Sequence, residues 1–178
     1  MMKQNETTAN EESTRIEPTR IEELPAFLLA GVSTVTTNAA ELSGNGKIGA
    51  LYEQFYSHRV GDQLKEYEQQ SGLYSCYYNY ESNDAGQYEI MVGIKVKETT
   101  SQHKLPEEIN MFIVPAAQYA VFVTESGPII EVVQQAWTRI WAWSKQSGVE
   151  RAYTGDFEYY APNIDPNNGQ AIIYIAIR

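Results

Sequence analysis

The sequence predicts an α+β fold in which a β-α-β-β module occurs twice. The copies are related by an approximate twofold axis, with antiparallel sheets, helices on one sheet face and a ligand cleft where the halves meet. Three observations predict it. Segments that alternate apolar and polar residues, as strands do, flank two segments whose apolar residues recur at i, i+3, i+4 and i+7, as on one face of a helix. Their order, strand, helix, strand, strand, is run through and then repeated. Short matches fall at corresponding places: Leu24-Pro25-Ala26 and Val114-Pro115-Ala116, Ser71-Gly72 and Ser147-Gly148, YEIMVGIKV at 88–96 and AIIYIAI at 171–177. These place the first repeat at 21–97, the second at 109–178 and a polar tail at 1–20.

The tail carries almost no apolar residue before Ile16, so it reads as flexible rather than as a signal peptide or membrane helix. Ala26 to Thr37 is rich in β-branched and apolar residues and reads as a strand bounded by Pro25 and Asn38. Gly44, Gly46 and Gly49 lead into KIGALYEQFY, where Ile48, Leu51, Tyr52 and Phe55 share one helix face. A shorter helix is expected over Asp62 to Gln70, stopping at Ser71-Gly72. Leu73 to Glu81 and Gln87 to Lys97 follow as strands around the turn-forming SNDAG. Beyond a polar stretch, INMFIVPAAQYAVFVTESG reads as a strand bent at Pro115, and Gly127-Pro128 opens a helix. Its apolar stripe is Ile129, Ile130, Val133, Ala136, Trp137, Ile140 and Trp143, with Trp141 at the edge. Strands at 150–160 and 170–178, joined by PNIDPNNG, close the chain.

Composition narrows the function. A net charge of −10 opposes binding to nucleic acid, which needs clustered Lys and Arg to neutralise phosphates. It favours a cationic or neutral ligand. Thirteen tyrosines and three tryptophans offer flat faces with polar handles, suited to aromatic or cationic organic molecules. A single cysteine, Cys76, allows no intrachain disulfide, which fits a cytoplasmic location. No metal or cofactor is expected: His58 and His103 stand in no ligand spacing, and SGNGK at 43–47 lacks the pattern of a phosphate-binding loop.

GDFEYYAP at 155–162 sets one carboxylate among aromatic residues. In a strand, Glu158 and Tyr160 point one way while Phe157 and Tyr159 point the other. Ile173, Ile175 and Ile177 form an aliphatic face that should lie under the helices. Phe157 and Tyr159 are expected to join it, leaving Glu158 to share the cleft side with Tyr160 and Tyr174. Tyr119, Tyr77, Tyr80 and Tyr88 are further candidate walls, their facing open by one residue of strand parity. Trp141 is expected to be the exposed tryptophan, with Trp137 and Trp143 in the core. A carboxylate ringed by tyrosines attracts a cation or acts as a base of raised pKa; the alternative is a solvated glutamate on an open sheet.

The ordered set LPAFLLAG, IGALYEQFY, a tyrosine-rich hairpin, VPAAQYAVFVTESG, AWTRIWAWSKQSGVE, DFEYYAP and AIIYIAI resembles the GyrI-like small-molecule-binding domain, which also serves as the effector-binding domain of bacterial multidrug-responsive transcription activators. The resemblance spans about residues 20 to 178 and is strongest in PAAQYAVF, in the Trp137 to Gly148 pattern and in the Phe-Glu-x-Tyr of Phe157 to Tyr160. It implies a groove for lipophilic, often cationic aromatic compounds with an acidic residue, here Glu158, at its floor. The activators carry a helix-turn-helix region that residues 1–20 are too few to supply. The expectation is therefore a stand-alone sensor or sequestration module without direct nucleic-acid binding or membrane contact, any protein partner being unknown. Some stand-alone relatives hydrolyse strained cyclopropane-containing toxins and another acts on DNA gyrase. The alternative reading is thus a hydrolase in which Glu158 is general base or charge stabiliser.

Overall fold

Proline and turn chemistry set most of the element boundaries in the structure, a computed structural model that describes residues 16–178. Pro25 cannot donate to a ladder and separates β1 (Arg20–Leu24) from β2 (Phe27–Thr37). Thr37 ends that strand by capping: its hydroxyl accepts the Ala40 N–H at 3.0 Å and starts α1 (Asn38–Leu42), a short helix that apolar periodicity does not announce. Two helices follow, α2 (Ile48–Ser57) and α3 (Val60–Gln63). The helix expected over Asp62 to Gln70 is cut short. A 3₁₀ turn at Lys65–Tyr67 gives way to β3 (Glu68–Tyr78), because Glu68 and Gln70 pair with Val96 and Lys95 of β4 (Gln87–Val96). Ser71-Gly72 is accordingly an irregularity in a strand, not a helix cap. Gly72 adopts φ 119°, and a Cβ there would meet the ring of Tyr159 at 2.4 Å.

The second half repeats the plan. Pro115 separates β5 (Asn110–Val114) from β6 (Ala117–Val123), and α4 (Ile129–Gln146) follows. The strand expected over 150–160 is shorter, β7 (Asp156–Tyr160), since Tyr153 at φ 54° and Gly155 break the extended run before it. Last comes β8 (Ile172–Ile177). Residues 1–15 of the predicted tail lie outside the described residues; from Ile16 the chain packs on the second half, with the Thr19 N–H donating to the Val121 carbonyl at 2.7 Å.

All eight strands form one antiparallel sheet in the order β1-β6-β8-β7-β3-β4-β2-β5. Each half contributes three neighbours, β2-β4-β3 and β6-β8-β7, and the halves meet where β3 pairs with β7. The outer arms are exchanged: β1, which leads into the first half, pairs with β6, and β5, which leads into the second, pairs with β2.

One sheet face carries the helices. Leu51 and Phe55 of α2 pack on Leu28, Ala30, Ile90 and Val92, while Ala136, Ile140 and Trp143 of α4 pack on Phe122, Ile173 and Ile175. The other face closes on itself. Phe27 and Phe157 stand three strand steps apart, roughly 14 Å in a flat sheet, yet their ring centroids are 5.3 Å apart. Tyr78 and Phe112 likewise stack at 3.9 Å. The sheet therefore curls, and its inner face becomes a second core. No helix among the described residues is long and apolar enough to cross a membrane.

A candidate ligand cleft at the seam of the halves

The position of Glu158 follows from pairing. The register between β7 and β8 sets Phe157 opposite Tyr174 and Glu158 opposite Ile173. Directly opposed residues share a face. Glu158 therefore lies with Ile173 under the helices, and Phe157 lies with Tyr174 on the inner face, where their rings stack at 4.5 Å. This reverses the expected partition of Phe157 and Tyr159 with the isoleucines. The shift is one residue of register, which moves every side chain to the opposite face. Tyr174 and Tyr119 are corrected with it: both belong to the inner-face core, Tyr119 donating to the Pro115 carbonyl at 3.3 Å.

Between α2 and α4, over the β3–β7 seam, lies a cleft of about 1450 Å³. Of the candidate residues, Glu158, Tyr160, Tyr77, Tyr88 and Trp141 line it, as does Tyr80. Glu158 is only 3% exposed. Its Oε1 accepts from the Tyr160 hydroxyl at 2.7 Å, and its Oε2 accepts from the Trp137 Nε1–H at 2.7 Å and the Tyr77 hydroxyl at 2.8 Å. Burial pushes the carboxyl above its usual range, and the three donors oppose that shift without cancelling it. Burial first, and then the negative charge of Glu158, push the phenols of Tyr77, Tyr160 and Tyr52 far up, so at neutral pH they remain protonated donors.

Two strand positions away, Asp156 shows what the chain does with a carboxylate it neutralises. Asp156 is fully buried and accepts from Arg151 Nη2 at 2.8 Å, the Tyr80 hydroxyl at 2.7 Å and the Ala176 N–H at 2.8 Å. Glu158 receives only neutral donors, and no salt bridge to it occurs among the described residues. An ionised carboxylate in such a place is costly until a cation arrives.

Sequence periodicity misses two members of the site. Trp137 falls on the apolar stripe of α4 and reads as core, yet its indole N–H is spent on Glu158; its i, i+4 relation to Trp141, with ring centroids 6.1 Å apart, is the signal that both share one face. Tyr52, on the apolar face of α2, reaches to the first-half side of the seam to hydrogen-bond the Ser75 hydroxyl of β3. Cys76 points into the inner core, where burial pushes its thiol pKa up, and takes no part in the cleft.

This architecture has relatives. The model of the integron-associated effector binding protein family, Cass2, matches residues 20–177. The chain belongs to the Cass2 family. Within that likeness, YobU of Bacillus subtilis (strain 168), a candidate transcriptional regulator, is 36% identical over 152 residues, covering 84% of this chain and 91% of its own. The Cass2 integron cassette protein from the mobile metagenome of Vibrio cholerae superposes with a TM-score of 0.71 at 32% identity, over 89% of this chain and 95% of that one. SAV2435, whose structure was determined with tetraphenylphosphonium bound, superposes with a TM-score of 0.73 over 89% of this chain and 93% of its own; at 16% identity it shares the fold. The GyrI-like architecture expected from the sequence is thus the architecture of this Cass2 member, and small-molecule binding is the function of its family.

Proposed function

We propose that the cleft binds lipophilic, cationic aromatic compounds, with Glu158 supplying the counter-charge, and that the protein acts as a sensor or sequestering module for them. One observation carries the reading: Glu158 is buried, held by three neutral donors and paired with no cation among the described residues, whereas its neighbour Asp156 is given Arg151. A ligand cation would complete the set. The rings of Tyr77, Tyr88, Trp137 and Trp141 would add cation–π and stacking contacts, each worth about 0.5–2 kcal/mol. Leu42, Tyr56 and Ile130, at the cleft margin and exposed by 63–76%, would extend the apolar contact. The structural neighbour SAV2435 holds tetraphenylphosphonium, which makes that cation a suitable first probe.

Titration with tetraphenylphosphonium should quench tryptophan fluorescence, since all three tryptophans lie on α4. Glu158→Gln keeps the size and loses the charge; it should weaken the cation roughly 10- to 100-fold, about 1.4–2.8 kcal/mol, and leave a neutral aromatic of similar size within about threefold. Equal losses for both ligands would remove the electrostatic role. Binding is favoured over hydrolysis because the tyrosines beside Glu158 are poor proton donors with their phenols pushed up, and two of its lone-pair directions on Oε2 are already taken. Ring-opened product from a cyclopropane-bearing electrophile, dependent on Glu158, would reverse that preference.

A further inference from the structure

Asp156 and Glu158 stand two residues apart on β7, roughly 7 Å between Cα atoms, and the cleft meets them differently. Asp156 is absent from the cleft wall, whereas Arg151, which covers it, is part of that wall. The Arg151 side chain is 3% exposed, and its guanidinium carbon lies 4.4 Å from the centre of the Tyr153 ring. Nη2 donates to Asp156, but Nε and Nη1, which between them carry three of the five guanidinium N–H groups, have no hydrogen-bond partner among the described residues. A buried donor left without an acceptor costs about 1–3 kcal/mol. Beside Arg151 opens a second cavity of about 340 Å³, bordered also by Ser144, Tyr153 and Arg178. The two poles are joined by a run of rings, Trp137, Tyr77, Tyr88, Tyr80 and Tyr153, with successive centroids 5.2 to 5.8 Å apart.

We propose that the preferred ligands are amphoteric aromatic compounds, with a cation on Glu158 and a carboxylate or comparable acceptor on the unpartnered donors of Arg151, and that Arg151 determines this specificity. The cationic half rests on the Glu158 reading above; the Arg151 half is separable from it. Arg151 contributes to the cleft wall a guanidinium whose spare N–H groups are buried, and Glu158 contributes to the same wall a buried carboxylate. A dication would place its second charge against Arg151. A zwitterion relieves both groups.

Three dyes on one xanthene framework test this by fluorescence polarisation at neutral pH: a rhodamine ester (monocation), its free carboxylic acid (zwitterion) and a derivative with a second, fixed ammonium (dication). With the wild-type protein the acid should bind about tenfold tighter than the ester and the dication about tenfold weaker. In Arg151→Gln the advantage of the acid should vanish, and the dication should bind at least as well as the ester because Asp156 is uncovered. Arg151→Lys, which keeps the charge but not the planar fork, should retain the dication penalty. Should Arg151→Gln fail to fold, Arg151→Gln/Asp156→Asn removes both charges, and the three dyes should then fall within about threefold of one another. An acid no tighter than the ester in the wild type, or ratios unchanged by these substitutions, overturns the proposal. The ester measured against Glu158→Gln reads the cation site alone, so loss of that reading is distinguished from loss of this one.

Discussion

Glu158 joins chemistry and stability in one side chain. Its folded-state carboxyl is held above the ordinary range by burial, so the fold binds that proton more firmly than the unfolded chain does. The contribution of this group to stability is then fully present below the ordinary carboxylate pKa and is lost as pH rises through the raised value. Cation binding runs the other way, since it needs the ionised form. On acidification through that window the ligand-free protein should gain thermal stability from this group while its affinity for tetraphenylphosphonium falls, and Glu158→Gln should flatten both trends. Trp137→Phe, which keeps a ring but removes a donor to Oε2, should move the affinity midpoint to higher pH. A midpoint that stays in place would show the indole to be packing only. Glu158 is legible in the sequence as a charge among rings. Its donors are not, because Trp137 lies 21 residues away and Tyr77 lies 81, and no local period connects them.

At the scale of elements, legibility depends on whether the cause is local. Pro25, Pro115 and the long α4 stripe are visible in sequence because backbone chemistry and helical periodicity act within a few residues. The misread segment, Asp62 to Gln70, becomes strand from Glu68 because β4 offers it a ladder. Pairing of distant strands overrides a weak local propensity. Another paired feature, Gly31 opposite Gly93, lets β2 and β4 approach each other closely. A Cβ on Gly31 would stand 2.1 Å from the Val92 carbonyl oxygen, and one on Gly93 would stand 2.2 Å from that of Ala30. These contacts are to backbone and cannot be relieved by a side-chain rotation. Gly31→Ala and Gly93→Ala should each cost roughly 3 kcal/mol in urea unfolding. A cost under about 1 kcal/mol would mean that the strands can separate there without loss.

Across the whole molecule, the exchanged arms bind the halves together: β1 completes the sheet of the second half and β5 that of the first. The β3–β7 pairing and the curled inner core add to this, with Phe27 of one half against Phe157 of the other. The halves should therefore unfold together. Tryptophan fluorescence, which reports only on α4, and far-ultraviolet circular dichroism, which reports on all elements, should give coincident denaturant transitions. Separate midpoints would show that each half is stable alone. The sequence by itself determined the repeated order of elements, most of the strands with their periods, and the acidic residue set among aromatic ones, because each is written in spacings of a few residues. The tertiary structure decided which face Glu158 occupies, that Tyr119 and Tyr174 belong to the inner core and that Trp137 belongs to the cleft. It also decided that Asp156 has a cation of its own while Glu158 has none among the described residues. Those outcomes depend on strand register and on partners far apart in the chain, and a one-residue change in register exchanges the two faces of a strand.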